Sequence, residues 1–245
     1  MHGVRRLASG EILPQIPRRR ATGYRKIRRG RPDRLLSLSD LPLVRDIPMT
    51  TLPRLFLVRH GETEWSAAGR HTGRTDLPLN AKGEEAARKL AARLAGIHFA
   101  RVWTSPAIRA RRTCELAGFG PAAQVDADLW EWDYGEYEGL RSADIRSRRP
   151  NWVVFRDGAT GGESPAQVAA RADKVIARAR LIDGNVIIFS HGHFSRVLGA
   201  RWIGLGPDVG RMLFLSTAAV CILGYDHDKN EPVIRLWNDV GHLEG

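Results

Sequence analysis

Apolar residues come in short unbroken runs and in helical repeats along this chain, and polar clusters sit where the runs stop. Leu55-Phe56-Leu57-Val58 is one such run, ending at Arg59-His60-Gly61; it predicts a strand buried on both faces that leads into a loop. Asn80 can cap a following helix, with Glu84 and Glu85 in its early turns; Ala86, Ala87, Leu90, Ala91 and Leu94 then recur at the helical period and stop at Gly96. Residues 101–104 read as a second strand. Ser105-Pro106 opens a second helix running to about Leu116, with the proline at the first helical position, where no amide donor is needed. Residues 128–131 read as the end of another strand, followed by a glycine-punctuated loop over 133–139. A long amphipathic helix is predicted over 163–182, with Val168, Ala172, Val175, Ile176 and Ala179 facing inward. The most strand-like run covers 185–189 and ends at Ser190-His191-Gly192-His193, and two more strands are predicted over 218–223 and 232–237. Strands alternating with helices imply an α/β domain with a largely parallel sheet. No internal repeat is present.

Composition changes this picture in one respect. The 245 residues are 43% hydrophobic and 27% charged, ordinary for a globular protein. No run approaches the roughly 18 apolar residues of a membrane span. Two cysteines, Cys114 and Cys221, cannot build a disulfide scaffold and fit a reducing, cytoplasmic setting as buried small hydrophobes. The net charge, however, is +11. Residues 1–48 hold 12 basic and four acidic side chains, so they carry +8 of it and leave +3 for residues 49–245. With five prolines and no periodicity, 1–48 is expected to be a disordered extension and 49–245 a single catalytic domain. The extension admits three readings: a nucleic-acid or lipid-binding arm, an organelle transit peptide, or sequence upstream of a start at Met49. The last is favoured, which leaves any nucleic-acid contact non-specific and confined to the tail.

In such sheets ligands gather beyond the carboxyl ends of the strands. Arg59-His60, Trp130-Glu131 and Ser190-His191 all fall at predicted strand ends, and Arg109 comes one turn into the helix after Thr104. Together they offer two arginines, two histidines and one carboxylate. That set suits phosphoryl transfer. Guanidinium forks match phosphate oxygens, and a neutral imidazole can hold the phosphoryl group covalently. A second histidine, if protonated, would stabilise charge on the equatorial oxygens, and the glutamate would serve as acid and then base.

The motifs carrying these residues resemble those of the histidine phosphatase superfamily, the phosphoglycerate mutase-like clan. Arg59-His60-Gly61-Glu62-Thr63 resembles its signature. Thr72-Gly73 with Asp76-Leu77-Pro78-Leu79 resembles the segment that follows. Thr104-Ser105-Pro106 with Arg109-Ala110 and Thr113 is similar to its second arginine motif. Leu129, Glu131, Tyr134-Gly135 and Glu138-Gly139 are similar to its acid motif, and Ser190-His191-Gly192 to its second-histidine motif. Five motifs in family order cover essentially everything from Leu55 onward. The resemblance implies a three-layer α/β/α sandwich over a mixed, mostly parallel sheet. It makes His60 the phosphohistidine nucleophile and Glu131 the proton donor and acceptor, with Arg59, Arg109 and His191 completing the phosphate pocket. Ser66, Thr72, Gly73 and Gly192 would contact substrate. No metal and no other cofactor is implied.

Within the superfamily, Glu131-Trp132-Asp133-Tyr134-Gly135 and the 190–196 run resemble acid-phosphatase-type members, while Thr63-Glu64-Trp65-Ser66 and the 75–79 run resemble sedoheptulose-bisphosphatase-type members. The implied function is hydrolysis of small phosphorylated metabolites, sugar phosphates among them. The alternative is a 2,3-bisphosphoglycerate-dependent phosphoglycerate mutase. Mutases usually have arginine where Trp132 stands and asparagine where Ser66 stands, and the stretch 139–161 is short for their substrate-binding insert. Arg74, Arg141, Arg146, Arg148, Arg149 and Arg156 could supply a distal phosphate or carboxylate site, although each alone reads as a solvated surface arginine. Trp65, Trp130 and Trp132 read as pocket walls or as plain core. His193 reads as a rim residue or as the cap of a helix beginning near Phe194, and Gly161-Gly162-Glu163-Ser164-Pro165 as a turn into the long helix. The oligomeric state stays open, a homo-oligomer among the options.

Overall fold

The computed structural model describes residues 52–244; the expectation of a disordered extension over 1–48 lies outside them. Six strands, β1 (Leu55–Arg59), β2 (Arg101–Thr104), β3 (Ala123–Val125), β4 (Val186–Ser190), β5 (Val220–Tyr225) and β6 (Pro232–Asp239), form one sheet in the order β3-β2-β4-β1-β5-β6. The first four strands are parallel; β5 runs antiparallel to β1, and β6 antiparallel to β5. The mixed, mostly parallel sheet of the sequence reading is the observed one.

The apolar runs explain its centre. Side chains alternate across a strand, so a strand covered on both faces must be apolar at every position. Leu55, Leu57, Val186, Ile188, Cys221 and Leu223 join one core with Val168, Ala172, Val175 and Ile176 of α6 (Pro165–Arg180) and Phe194, Val197 and Leu198 of α7 (Gly192–Trp202). The intervening Phe56 and Phe189 face the other way, packing against Phe99 (ring centroids 5.0 Å apart) and Phe119 (5.9 Å). On that side α2 (Ala81–Leu94) packs on α3 (Ile108–Leu116), which touches β4. Each fully buried Leu or Phe contributes about 1.5–3 kcal/mol. Three short helices, α1 (Glu64–Ala67), α4 (Ser142–Arg148) and α5 (Val154–Asp157), lie in the connections.

Local chemistry sets the helix boundaries. Asn80 Oδ1 accepts from the Gly83 amide (2.8 Å) at the start of α2, as its sequence position predicts. Ala91 of that helix nevertheless faces solvent, because the buried stripe runs through Gly83, Ala87, Leu90 and Leu94. Gly83 backs onto Gly61: a Cβ on either would collide with the other's loop backbone, so only glycine lets α2 sit this close to the end of β1. The long helix begins at Pro165, two residues later than read from the sequence, behind a Ser164–Gln167 capping box.

Two boundaries differ more. Pro106 is not the first residue of α3, which starts at Ile108. Ser105 Oγ is held in the loop by the Ala107 amide (3.3 Å), and the Ile108 amide donates instead to Asp76 Oδ1 (2.7 Å), a cap supplied from another segment. Residues 128–131 are not a strand end. Asp126 Oδ1 accepts from the Asp128 amide (2.9 Å) and closes a 3-10 turn over Ala127–Leu129, while the strand itself is the short β3 just before it.

Beside the core, His71 is only 7% exposed, lies against the Tyr134 ring (4.7 Å) and the edge of Trp152 (5.5 Å), and shares a hydrogen bond with Ser142 Oγ (3.2 Å). Burial, and then the charge of Arg146, pull its pKa down to about 4. The unfolded chain therefore takes up a proton that the folded ring refuses. Stability due to His71 is full above pH 6.5 and is lost progressively as pH falls toward about 4, amounting to about 3 kcal/mol. Urea titrations between pH 7 and pH 4 are expected to show the unfolding free energy falling by at least that much; a flat profile would contradict the buried neutral ring.

Candidate active site

The register of β1 on β4 builds the centre of the site. Arg59 is paired with Ser190, so the next residues, His60 and His191, leave adjacent strands side by side. Their rings lie 5.3 Å apart, edge to face, and both are buried. His60 Nδ1 is 2.7 Å from the Gly61 carbonyl. A carbonyl only accepts, so Nδ1 carries the proton and the neutral ring keeps its lone pair on Nε2. Burial, followed by the charges of Arg109 and Arg59, holds the His60 pKa well below the ordinary histidine value. Burial, then Arg109, His60, Arg59 and Arg171, does the same to His191. The free protein thus disfavours the protonated form asked of the second histidine, whose Nε2 is bonded to Ser105 Oγ (2.7 Å).

Main-chain oxygens fix both arginines. Arg59 Nη1 donates to Leu215 O (2.6 Å), in the segment leading to β5, whose Ala219 carbonyl accepts from the Arg59 amide (3.2 Å) and whose Ala218 amide donates to His60 O (3.1 Å). Gly192, the first residue of α7, lies against Arg59, whose Cζ a Cβ there would meet at 3.3 Å. Arg109, wholly buried on the first turn of α3, donates through Nη1 to Thr75 O (3.0 Å) and through Nη2 to Thr72 O (3.1 Å) and Gly73 O (2.9 Å). Glu138 Oε1 grips the same turn by accepting from the Gly73 (2.7 Å) and Thr75 (3.1 Å) amides. Thr113, one turn along α3, accepts from the Gly61 amide (3.0 Å) and donates to Arg109 O (2.7 Å), tying the loop after β1 to the arginine helix.

Glu131 is nearly buried and sits at the amino end of α7. Its Oε1 accepts from the Trp132 (2.9 Å) and Phe194 (2.8 Å) amides, and its Oε2 from the His193 amide (2.9 Å). A helix amino terminus favours an anion there. The His193 ring bonds the Tyr134 hydroxyl, behind the carboxylate, and α7 begins at Gly192 rather than near Phe194. Of the three tryptophans, Trp132 is core, with Nε1 on Glu163 O (2.8 Å). Trp130 lies parallel to His191 at 6.5 Å, and Trp65 packs over Gly139.

The fold therefore gathers Arg59, His60, Arg109, Glu131, His191 and Gly192, with Thr72 and Gly73 present through their carbonyls. Ser66 is different: its hydroxyl and amide are both engaged with Thr63 in the cap of α1. Sequence reasoning missed Ser105 as a partner of His191, and it missed Leu215 and Ala218. Ser105 stood in a recognised motif, but the other two act through backbone atoms, which leave no side-chain signal. Three buried polar atoms of the cluster have no partner: Arg59 Nε, Arg109 Nε and His191 Nδ1. Leaving buried donors unpaired is costly, and an arriving oxyanion would satisfy them. Among the described residues the one trio spaced for a metal ion, Asp226, His227 and Glu231, is exposed on the β5–β6 turn, at the opposite end of the sheet.

Known proteins resemble this chain in both sequence and fold. The family profile of the histidine phosphatase superfamily (branch 1) matches residues 55–240. An acid phosphatase of Mycobacterium tuberculosis is 42% identical over 179 residues, covering 71% of this chain and 87% of its own. The sedoheptulose 1,7-bisphosphatase of Saccharomyces cerevisiae is 35% identical over 187 residues, covering 63% and 69%. Among solved structures, the product of a functionally characterised open reading frame of M. tuberculosis superposes with a TM-score of 0.74 at 39% identity, covering 78% of this chain and 99% of its own. A mycobacterial glucosyl-3-phosphoglycerate phosphatase, solved with vanadate, superposes with a TM-score of 0.67 at 25% identity, covering 76% and 98%. With its fold, its ordered motifs and this match across most of its length, the chain belongs to the histidine phosphatase superfamily.

Proposed function

We propose that the protein hydrolyses phosphate monoesters of small metabolites through a phosphohistidine at Nε2 of His60. One observation carries the reading: an imidazole with its lone pair fixed on Nε2 lies among the buried Arg109, the half-buried Arg59 and a second histidine, and a buried nitrogen of each of these three lacks a partner. In the first step the Nε2 lone pair attacks phosphorus, the ester P–O bond breaks, and the leaving oxygen takes a proton from the Glu131 carboxyl. In the second, water attacks phosphorus, Glu131 takes up a water proton, the P–N bond breaks, and phosphate leaves with the imidazole restored. Arg59 and Arg109 stabilise charge on the transferring group. With Ser105 donating its hydroxyl proton to His191 Nε2, the His191 Nδ1–H is a further donor. The first step thus draws on the protonated form of Glu131 and leaves it as the carboxylate that serves as base in the second.

Hydrolysis is favoured over mutase transfer because Trp132, at the position where mutases carry a substrate-holding arginine, is sealed in the core. Relatives named probable phosphoglycerate mutase are matched at 29% identity and below. Among the described residues no helix is long and apolar enough to cross a membrane. Cys114 and Cys221 are buried free thiols whose pKa burial pushes up to about 12, which supports a reducing, cytoplasmic setting.

His60→Ala is expected to cut turnover of an aryl phosphate by at least about a thousandfold, with no burst of phosphoenzyme in rapid-quench measurements. Retained activity would exclude covalent catalysis at this residue. Glu131→Gln is expected to slow esters of poor leaving groups by about 10²–10⁴-fold and esters of good leaving groups much less; an equal slowdown would remove its acid role. Because protonation silences Nε2 and the His60 pKa is depressed, the acidic limb of kcat/KM, corrected for ionisation of the substrate, is expected below pH 6.5. A limb at or above 6.5 that disappears with His60 would contradict the assignment.

A further inference from the structure

The arginines offered by the sequence as a distal anion site are not equivalent in the fold. Arg141 grips Asp144 through two nitrogens (3.0 Å each), and Arg156 grips Asp157 the same way (2.9 Å each). Arg146 donates to Trp152 O (3.0 Å). Arg74 stands apart. It is 45% exposed, and its ion partner is Asp133, at a single long contact of 3.5 Å. Arginines that serve the framework look quite different here: Arg171 is 13% exposed, paired with Glu163 at 2.7 Å, and bonded to the Asp128 (2.7 Å) and Trp130 (2.9 Å) carbonyls.

Three features suit Arg74 to a ligand beside the site. Its guanidinium lies over the Trp130 ring, 5.0 Å from the centroid, and that ring is parallel to His191. The indole face orients the planar fork and shields part of it from water, which strengthens any ion pair it makes. The backbone on both sides of Arg74 is pinned, by Arg109 on the carbonyls of Gly73 and Thr75 and by Glu138 on their amides. Only its side chain is left to respond to a ligand. Asp133 could release it at small cost, because that carboxylate is part-exposed and keeps its bond to the Gly135 amide (3.0 Å).

We propose that Arg74, seated on Trp130, is a second anion subsite, and that the preferred substrates are phosphate monoesters bearing a second anionic group, a phosphate or a carboxylate, that replaces Asp133 on Arg74. This rests on the phosphatase reading above. The test compares kcat/KM of the full chain for fructose 1,6-bisphosphate, 3-phosphoglycerate and glucose 6-phosphate. The wild type is expected to prefer at least one doubly anionic ester over glucose 6-phosphate by about tenfold or more, and Arg74→Gln to erase that preference chiefly through KM. Arg74→Lys is expected to restore part of it. A loss confined to the bisphosphate assigns a phosphate to the subsite; a loss confined to 3-phosphoglycerate assigns a carboxylate. No preference in the wild type, or an equal preference in Arg74→Gln, overturns the proposal. Calorimetric binding of both doubly anionic esters to His60→Ala, with and without Arg74→Gln, needs no turnover. At least one Kd is expected to rise about tenfold on adding Arg74→Gln, whereas unchanged Kd values for both overturn the subsite. If the wild type hydrolyses none of these esters while the binding difference persists, the phosphatase reading falls and the subsite stands.

Discussion

Everything at this site depends on the pairing of β1 with β4. Two parallel strands in fixed register end together, Arg59 opposite Ser190, and the chain can place His60 beside His191 only because of that register. A slip of β1 by one residue would turn its run over against β4, sending Leu55 and Leu57 toward α2 and α3 and Phe56 toward α6 and α7, where their shapes do not fit. Burial of the runs therefore enforces the geometry of the histidines. The same apolar free energy that stabilises the core also sets the spacing of the reacting groups.

That arrangement concentrates polar groups where they are costly. Two imidazoles, a carboxylate and the Arg109 guanidinium are buried beside the half-buried Arg59, and all but one are tied down by main-chain atoms: Arg59 by Leu215 O, Arg109 by three carbonyls, His60 by Gly61 O and Glu131 by three amides, while His191 is held by the Ser105 hydroxyl. Burial first, and then the charges of the two arginines, hold both histidines well below the ordinary histidine pKa, which favours a nucleophilic imidazole. Electrostatic strain in the free site and readiness for a phosphate are one property.

Much of this was legible in the sequence. The apolar runs within 55–58 and 185–189 read as strands, and Asn80 announced its helix through capping chemistry, whereas the cap at Ser164 went unread because the long helix was begun one residue before it. Arg59, His60 and His191 were readable because they stand where strand-like runs end, whereas Arg109 lies one turn into its helix and Glu131 follows a 3-10 turn, so periodicity alone did not place them. Residues 123–125 escaped notice because an edge strand of three residues, two of them exposed, carries no period. The start of α3 was misplaced because Asp76, which caps it, lies 32 positions earlier, and local signals could not reveal that. Ser66 stands where mutases usually carry asparagine and was offered as a substrate contact, yet its side chain completes its own helix cap. The carbonyls of Leu215, Thr72 and Thr75 were invisible in principle, since any residue supplies one.

That last point reaches beyond this molecule. Because Arg59 and Arg109 are held by peptide oxygens, the side chains at 72, 75 and 215 are not what positions them. Mutation can vary the walls of the pocket while the reacting centre stays in register. A fold wired in this way separates what is transformed from how it is transformed, so new substrates can be acquired by changing single surface residues without rebuilding the catalyst.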